Sequence, residues 1–487
     1  MSREHFPLFF PPEGLTQEKY LQQLCDEGVV RRYGGQVPRK DVVERLEYEL
    51  DHLKCGGFTN EVLLNWDIVH LAKSNGIPIG PGLYWQPSSL VAYVLGITDI
   101  DPLQYGLISE LWSHSERFCP PTIAVDVAYN RRDDLIQVLR RKYGEHSVSP
   151  TCVSYSPLSM LPEFARLSGE CLLEPKQHKP QVDTTAVAIS VGPLRDITPM
   201  TADANGKPVT THDESDLQIL GCLVIDLCPN TTLAVNESVL KSIRTTRGED
   251  IILNALPLDD PKTYHMISNG LIRGVFPIES PQASNACRLI KPSRIQDITA
   301  LVAIYAAHSS FGKQELKECV AGYAVRNKRE VPVSYEHPLL EPILQETYGI
   351  MMYQEQYIQA VELLAGFTRG RADMLRRACL RADTEKSREY RRDFVEGCAT
   401  KSNIPANAAN ELLKCFNEAS RKCFRKSYAV SYGLLAYQAA FFKAHYTTEF
   451  YSALLEHHGD TPNFAINIQA EMTFYNKQVN QYTKGSL

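Results

Sequence analysis

Ile123-Ala124-Val125-Asp126-Val127 (IAVDV), followed at once by Arg131–Tyr143 (RRDDLIQVLRRKY), is the stretch that decides how the chain folds. Apolar, mostly β-branched residues around one aspartate predict a buried strand, and the charged run after it predicts a helix. Before it lie the turn-rich Gly76–Gly82 and the apolar run Leu90–Leu95; after it, strands are predicted at Ala186–Val191 and Leu220–Leu227, with polar turns such as Asp203–Lys207 between them. Further out the pattern is helical. Thr16 caps a predicted helix over Gln17–Glu27, and Val42–Leu53 and Asn60–Ser74 carry helical spacing. From about residue 285 onward the same holds for Gln354–Leu364, Arg371–Ala378, Lys386–Val395, Ala406–Ala419 and Tyr428–Ala444, with a shorter helix, Pro342–Thr347, starting at its proline. The expectation is a multidomain α/β chain: arm 1–15, helical region 16–75, mixed α/β region 76–284, helical domain 285–460 and tail 461–487.

A chain of 487 residues exceeds a single core. No run approaches the roughly 20 apolar residues that cross a bilayer, and Met1–Pro12 lacks the apolar core of a secretory signal, so no membrane partner and a cytoplasmic location are expected. The 13 cysteines are scattered with no Cys-x-x-Cys pair, which excludes a zinc ribbon or iron–sulfur motif and suits a reducing compartment. A net charge of -6 supplies no global attraction to nucleic acid, though a local basic groove can still do so.

Asp126 and Asp226 stand on separate predicted strands that can pair in space. Two-metal phosphoryl transfer needs carboxylates around two cations, usually with a close pair on one strand. Two residues before Asp126, on the same strand face, stands Ala124, whose methyl cannot ligate. No cofactor and no metal, or a weak site at Asp126 and Asp226, is therefore expected; the plainer alternative pairs these aspartates with arginine or backbone donors. In Gly80-Pro81-Gly82 the bulky Leu83, Tyr84 and Trp85 crowd any phosphate nest, so a packed loop or a protein-binding patch at Tyr84 and Trp85 is expected, alongside Phe9 and Phe10 of the aromatic arm. Two basic clusters are candidates for a phosphate backbone: Arg369, Arg371, Arg376, Arg377 and Arg381, and then Arg421, Lys422, Arg425 and Lys426, with Tyr428 and Tyr432 as stacking or packing neighbours. The first is laced with Asp373, Asp383, Glu385 and Glu389, for which pairing along the helix is sufficient reason; no acid interrupts the second.

Several strings together resemble the bacterial replicative DNA polymerase III alpha subunit, the C-family polymerase. They are RLEYELDHL (45–53), Gly76–Gly82 with SLVAYVLGITDIDPL (89–103), GVFPIES (274–280), HPLLEPILQETYGIMMYQEQ (337–356), AGFTRGRADMLRRA (365–378) and KSYAVSYGLLAYQAAFFKAHYTTEF (426–450). The resemblance implies a palm with a nucleotidyltransferase-type mixed sheet at 76–284, a thumb-like 16–75 and fingers at 285–460, in a shortened relative. It also implies losses. The family's Pro-Asp-Ile-Asp-x-Asp strand is matched by Pro121–Asp126, which puts Ala124 at one metal-ligand position and keeps Asp126; the third ligand matches Asp226 and a nearby family lysine matches Val224. The family's Gly-Arg-Gly-Ser is matched by Gly82–Trp85, its Arg-Pro-Gly-Pro by Ala306–Ser309, and its Phe-Asn-Lys-Ser-His by Phe424–Tyr428. The implied function is a catalytically inactive, polymerase-like DNA-binding or assembly factor in replication, repair or defence against foreign DNA. Two alternatives stand beside it: a divergent Mg2+-dependent nucleotidyltransferase using Asp126, Asp226 and a third carboxylate such as Glu116 or Asp133, and a pure protein scaffold.

Overall fold

The computed structural model describes residues 3–34, 39–152, 182–203, 205–306, 313–380 and 384–458. Arg381, Asp383, the segment 307–309 and the tail 461–487 lie outside them. The chain forms two compact units, each assembled from separate stretches: Met1–Arg31, Gly57–Gly80 and Pro121–Leu233 make the first, and Arg32–Gly56, Pro81–Pro120 and Ala234–Leu487 the second. The helical stretch 16–75 is thus shared between the units, as is the expected mixed region 76–284.

The first unit is built on a six-stranded mixed sheet: β1 (Ala124–Ala128), β2 (Val148–Cys152), β3 (Val182–Ile189), β4 (Met200–Ala202), β5 (Pro208–Thr210) and β6 (Leu223–Asn230), in the order β1-β6-β3-β2-β5-β4. β1 runs parallel to β6, and β3 antiparallel to it. Every residue of β1 is buried, as expected of a parallel strand covered on both faces. The predicted Leu220–Leu227 strand begins three residues later, because Gly221 turns the chain with φ 86 after the helix Glu214–Ile219. The helix Arg132–Tyr143 carries Asp133 and Asp134 in its first turn and Arg140, Arg141 and Lys142 in its last, each matching the adjacent end of the helix dipole. Arg132 ties that helix to the sheet by donating to the carbonyls of Leu227 and Thr185, and the Tyr143 hydroxyl reaches Asp67 on the helix Thr59–Ser74.

The N-terminal arm lies on this unit. Asn60 accepts from the Phe9 N–H and donates to the Pro7 carbonyl, Arg3 pairs with Glu61, and the Phe9 ring stacks on Tyr20 at 5.8 Å.

The second unit is helical and has two large apolar cores. One packs the helices Ile295–Ala306 and Lys426–His445 together with Phe450 and Tyr451; the other packs Gln354–Ala365, Arg369–Leu380, Glu385–Ser402 and Ala406–Ser420 around Tyr357, Phe394 and Phe416. Pro342–Thr347 is not one helix but a single turn, Glu341–Leu344, between 3₁₀ turns at Pro338–Leu340 and Gln345–Thr347. Tyr348 in the left-handed region ends it. No described helix is long and apolar enough to cross a membrane.

One carboxylate begins the longest of these helices. Arg425 at the N-cap of Lys426–His445 gives no side-chain cap; the buried Glu355 instead accepts from the N–H groups of Lys426 (2.8 Å) and Ser427 (3.3 Å). Glu355→Ala leaves both donors buried without an acceptor, a cost of about 1 to 3 kcal/mol. The expected result is a lower denaturation midpoint at unchanged m-value; an unaltered midpoint counts against this cap.

Candidate functional site

The pairing register places the two aspartates. Ala124 of β1 and Ala186 of β3 both lie opposite Asp226 of β6, and Asp126 lies opposite Cys228. Directly opposed residues project to one side of a sheet, and so do residues two apart. Asp126 and Asp226 therefore share a face on neighbouring strands. Asp226 is flanked in its row by methyl groups on both sides.

Asp126 is buried, and its environment is dry. The backbone of Gly80 covers it: the Gly80 N–H donates to the Asp126 carbonyl at 2.9 Å, and a Cβ at Gly80 would stand 2.6 Å from that of Asp126. Asn230 supplies a side-chain hydrogen bond, while Oδ2 has no partner among the described residues. No arginine pairs with Asp126 among the described residues. Desolvation, only partly offset by Asn230, pushes the carboxyl up to about 7.

A pair of divalent cations does not fit these residues. Such a centre needs several carboxylates to bridge and flank two charges, and directly opposite Asp226 the row supplies a methyl at Ala124. No three His, Cys, Asp or Glu residues group together among the described residues. Neither suggested third carboxylate changes this. Asp133 is exposed and pairs with Lys207, and Glu116 is exposed.

The loop after Gly82 closes on itself. The Leu83 N–H donates to Gln86 Oε1 at 2.9 Å, and the Gln86 N–H donates back to the Leu83 carbonyl. Trp85 is 2% exposed, its indole against Trp112 at 4.9 Å, so it is a core residue, as in the packed-loop alternative, and not a surface contact. Tyr84 holds φ 52 at a position that the family resemblance gives to glycine. Its half-buried ring meets the edge of Tyr428 at 5.9 Å. In the arm, Phe9 is fixed by Tyr20 and Trp66, and Phe10 is 83% exposed.

The described members of the first basic cluster, Arg369, Arg371, Arg376 and Arg377, are paired with acids. Asp373, fully buried, accepts from Arg376 Nη2 at 2.7 Å and from Arg377 Nε at 2.5 Å. Despite burial, the side chain of His114 and those two guanidiniums hold the Asp373 carboxyl well below the usual range. Arg376 is itself buried, so it contributes to packing rather than to a surface field. Arg369 pairs with Glu362, and Arg371 with Asp393.

The second cluster divides. Lys426 is buried with Nζ 2.7 Å from Glu346, and Lys422 Nζ stands 3.2 Å from Glu315. Distant acids thus interrupt a run that no acid interrupts in the sequence. Arg421 and Arg425 make no ion pair with a described residue. Beside Arg425, the half-buried Phe424, Tyr428 and Tyr432 follow one another at four-residue spacing; Phe424 meets Tyr428 at 6.2 Å, and Tyr432 meets the exposed Phe276 at 5.9 Å. That spacing was available in the sequence for Phe424, but Phe276, Gly80 and Ala186 had no local signal.

The Asp126 carboxyl gives a pH dependence of defined sign. It titrates at 3.8 without the fold's influence and at about 7 within it. Between those values the folded chain holds the additional proton, so stability is fullest at the acid end and falls as pH rises, by about 1 to 4 kcal/mol. Asp126→Asn cannot ionise. Its denaturation midpoint should lack this component between pH 4 and pH 8, and parallel wild-type and variant profiles would refute a dry Asp126.

Comparison with known proteins matches both units. The family described as the bacterial DNA polymerase III alpha NTPase domain matches residues 19–158, and that described as the bacterial DNA polymerase III alpha subunit finger domain matches residues 232–402. The first match includes Ala124 and Asp126; Asp226 falls between the two. The DNA polymerase III subunit alpha of Thermus aquaticus is 31% identical over 92% of this chain and 45% of its own length. That of Bacillus subtilis is 31% identical over 93% and 44%, and that of Aquifex aeolicus 30% identical over 92% and 44%. The chain spans less than half the length of these relatives. With two successive domains of one protein matched in order, and close to a third of the residues shared along nearly the whole chain, this is a relative of the bacterial DNA polymerase III alpha subunit.

Proposed function

We propose that this chain is a catalytically inactive polymerase relative that binds DNA, a protein partner or both in replication, repair or defence against foreign DNA in the cytoplasm. The observation that carries the reading is the row in which Asp226 stands between Ala124 and Ala186, with Asp126 desolvated beside it. Phosphoryl transfer depends on charge held ready where negative charge develops, and removing one such contact costs about 3 kcal/mol. The loss at Ala124 is joined by a closed loop at Leu83–Gln86 where the family resemblance puts a phosphate segment.

A DNA-binding role is supported by Arg421 and Arg425, the two cations of the second cluster without internal acids, and by the aromatic row Phe424, Tyr428 and Tyr432. Arginine meets phosphate, and aromatic faces accept unstacked bases. Relatives named as polymerase subunits make DNA the natural ligand of such a face.

A divergent metal-dependent nucleotidyltransferase is favoured by one feature, the shared sheet face of Asp126 and Asp226. Primer extension with Mg2+ and then Mn2+ separates the readings. No extension is expected; extension by the wild type that is lost in Asp126→Ala would establish the active enzyme instead.

The DNA contact has its own test. Arg421→Glu with Arg425→Glu should weaken binding of single-stranded and primed DNA about tenfold or more at low salt and flatten its salt dependence. Unchanged binding, or none in the wild type, leaves only the scaffold role.

A further inference from the structure

In the second unit an open groove of about 540 Å3 lies between the helices Lys313–Asn327 and Ala406–Ser420 and the segment Ser334–Met352. Its floor is apolar and includes Ile350, Met351, Met352 and Phe416. Unbranched thioethers adapt to ligands of differing shape. Its rim is acidic, formed by Glu315, Glu318, Glu336 and Glu418, all exposed.

The cations at this rim do not balance it. Lys422 pairs with Glu315, and Arg326 donates to the Tyr348 carbonyl at 3.3 Å. Glu336 and Glu418 make no ion pair with a described residue. Their field acts on the floor: the Cys415 thiol is raised by burial first and then by Glu336, Glu418 and Glu411.

We propose that this groove docks a basic amphipathic segment of a protein partner, whose apolar side chains enter over the half-buried Ile350 and Met351 and whose lysines or arginines meet the glutamate rim. Charge complementarity selects this occupant. A nucleic-acid phosphate would face four carboxylates against two cations, Lys422 and Arg326, so the groove differs in its residues and in its net sign from Arg421 and Arg425. An apolar floor with a rim of one sign also sets register, because each cation has a carboxylate to meet while the apolar side chains are buried.

Gly322 permits a test that does not disturb the fold. It lines the groove, and a Cβ added there meets nothing within 4 Å, so Gly322→Phe fills the space while removing a helix-interior glycine. The probe is a short fluorescein-labelled peptide of leucine and lysine at helical spacing, with a glutamate-for-lysine counterpart, read by anisotropy on the full chain. The wild type should bind the lysine peptide and not the glutamate one, more weakly as salt rises. Glu318→Lys with Glu418→Lys should lower affinity about tenfold, as should Gly322→Phe with an unchanged circular dichroism spectrum, while Glu18→Lys, in the other unit, leaves it unaltered. No wild-type binding, binding that survives Gly322→Phe, an equal loss with Glu18→Lys, or displacement by duplex DNA would each overturn the proposal.

Discussion

The parallel pairing of β1 with β6 is the constraint on which the reading of this protein rests. Side chains in register on adjacent strands share a face, so the pairing of Ala124 with Asp226 determines which groups can act together. The antiparallel pairing of β3 on the other side of β6 puts Ala186 in the same row. The two residues directly opposite Asp226 are thus methyl-bearing, Asp126 stands two residues along the neighbouring strand on the same face, and the backbone of Gly80 covers it.

The second unit uses its acids inwardly. Asp373 gathers Arg376 and Arg377, Glu355 starts the helix Lys426–His445, and Glu346 holds Lys426. The buried Asp373 and Glu355 are satisfied by donors, as burial of a charge requires, and the half-buried Glu346 pairs with Lys426. The residual field is then set by what these pairs leave over. At one place it is cationic, at Arg421 and Arg425 beside an aromatic row; at another it is anionic, at the glutamate rim above Met351 and Phe416. Two surfaces of opposite sign on one polymerase-like body suit a protein that joins partners.

Much of the secondary structure is legible from local pattern. Strand β1, the helix Arg132–Tyr143 and the later amphipathic helices follow from apolar spacing, and the alanine two residues before Asp126 is visible in the strand string itself. The pairing of Asp373 with Arg376 and Arg377 is likewise within one or two turns of a helix, where sequence distance and spatial distance agree. Local pattern did not reveal that Pro342–Thr347 breaks into separate turns, nor that Trp85 is a core residue, because both depend on what packs against them.

What the sequence by itself determined is the inventory: strand and helix segments, the alanine in the metal-ligand position, the aromatic residues and the two basic runs. What only the tertiary structure decided is which of those charges remain outward. Lys422 and Lys426 meet Glu315 and Glu346 from distant parts of the chain, while Arg421 and Arg425 meet no such acid among the described residues. Coulomb attraction and desolvation depend on distance in space, and folding brings together residues that the sequence keeps far apart.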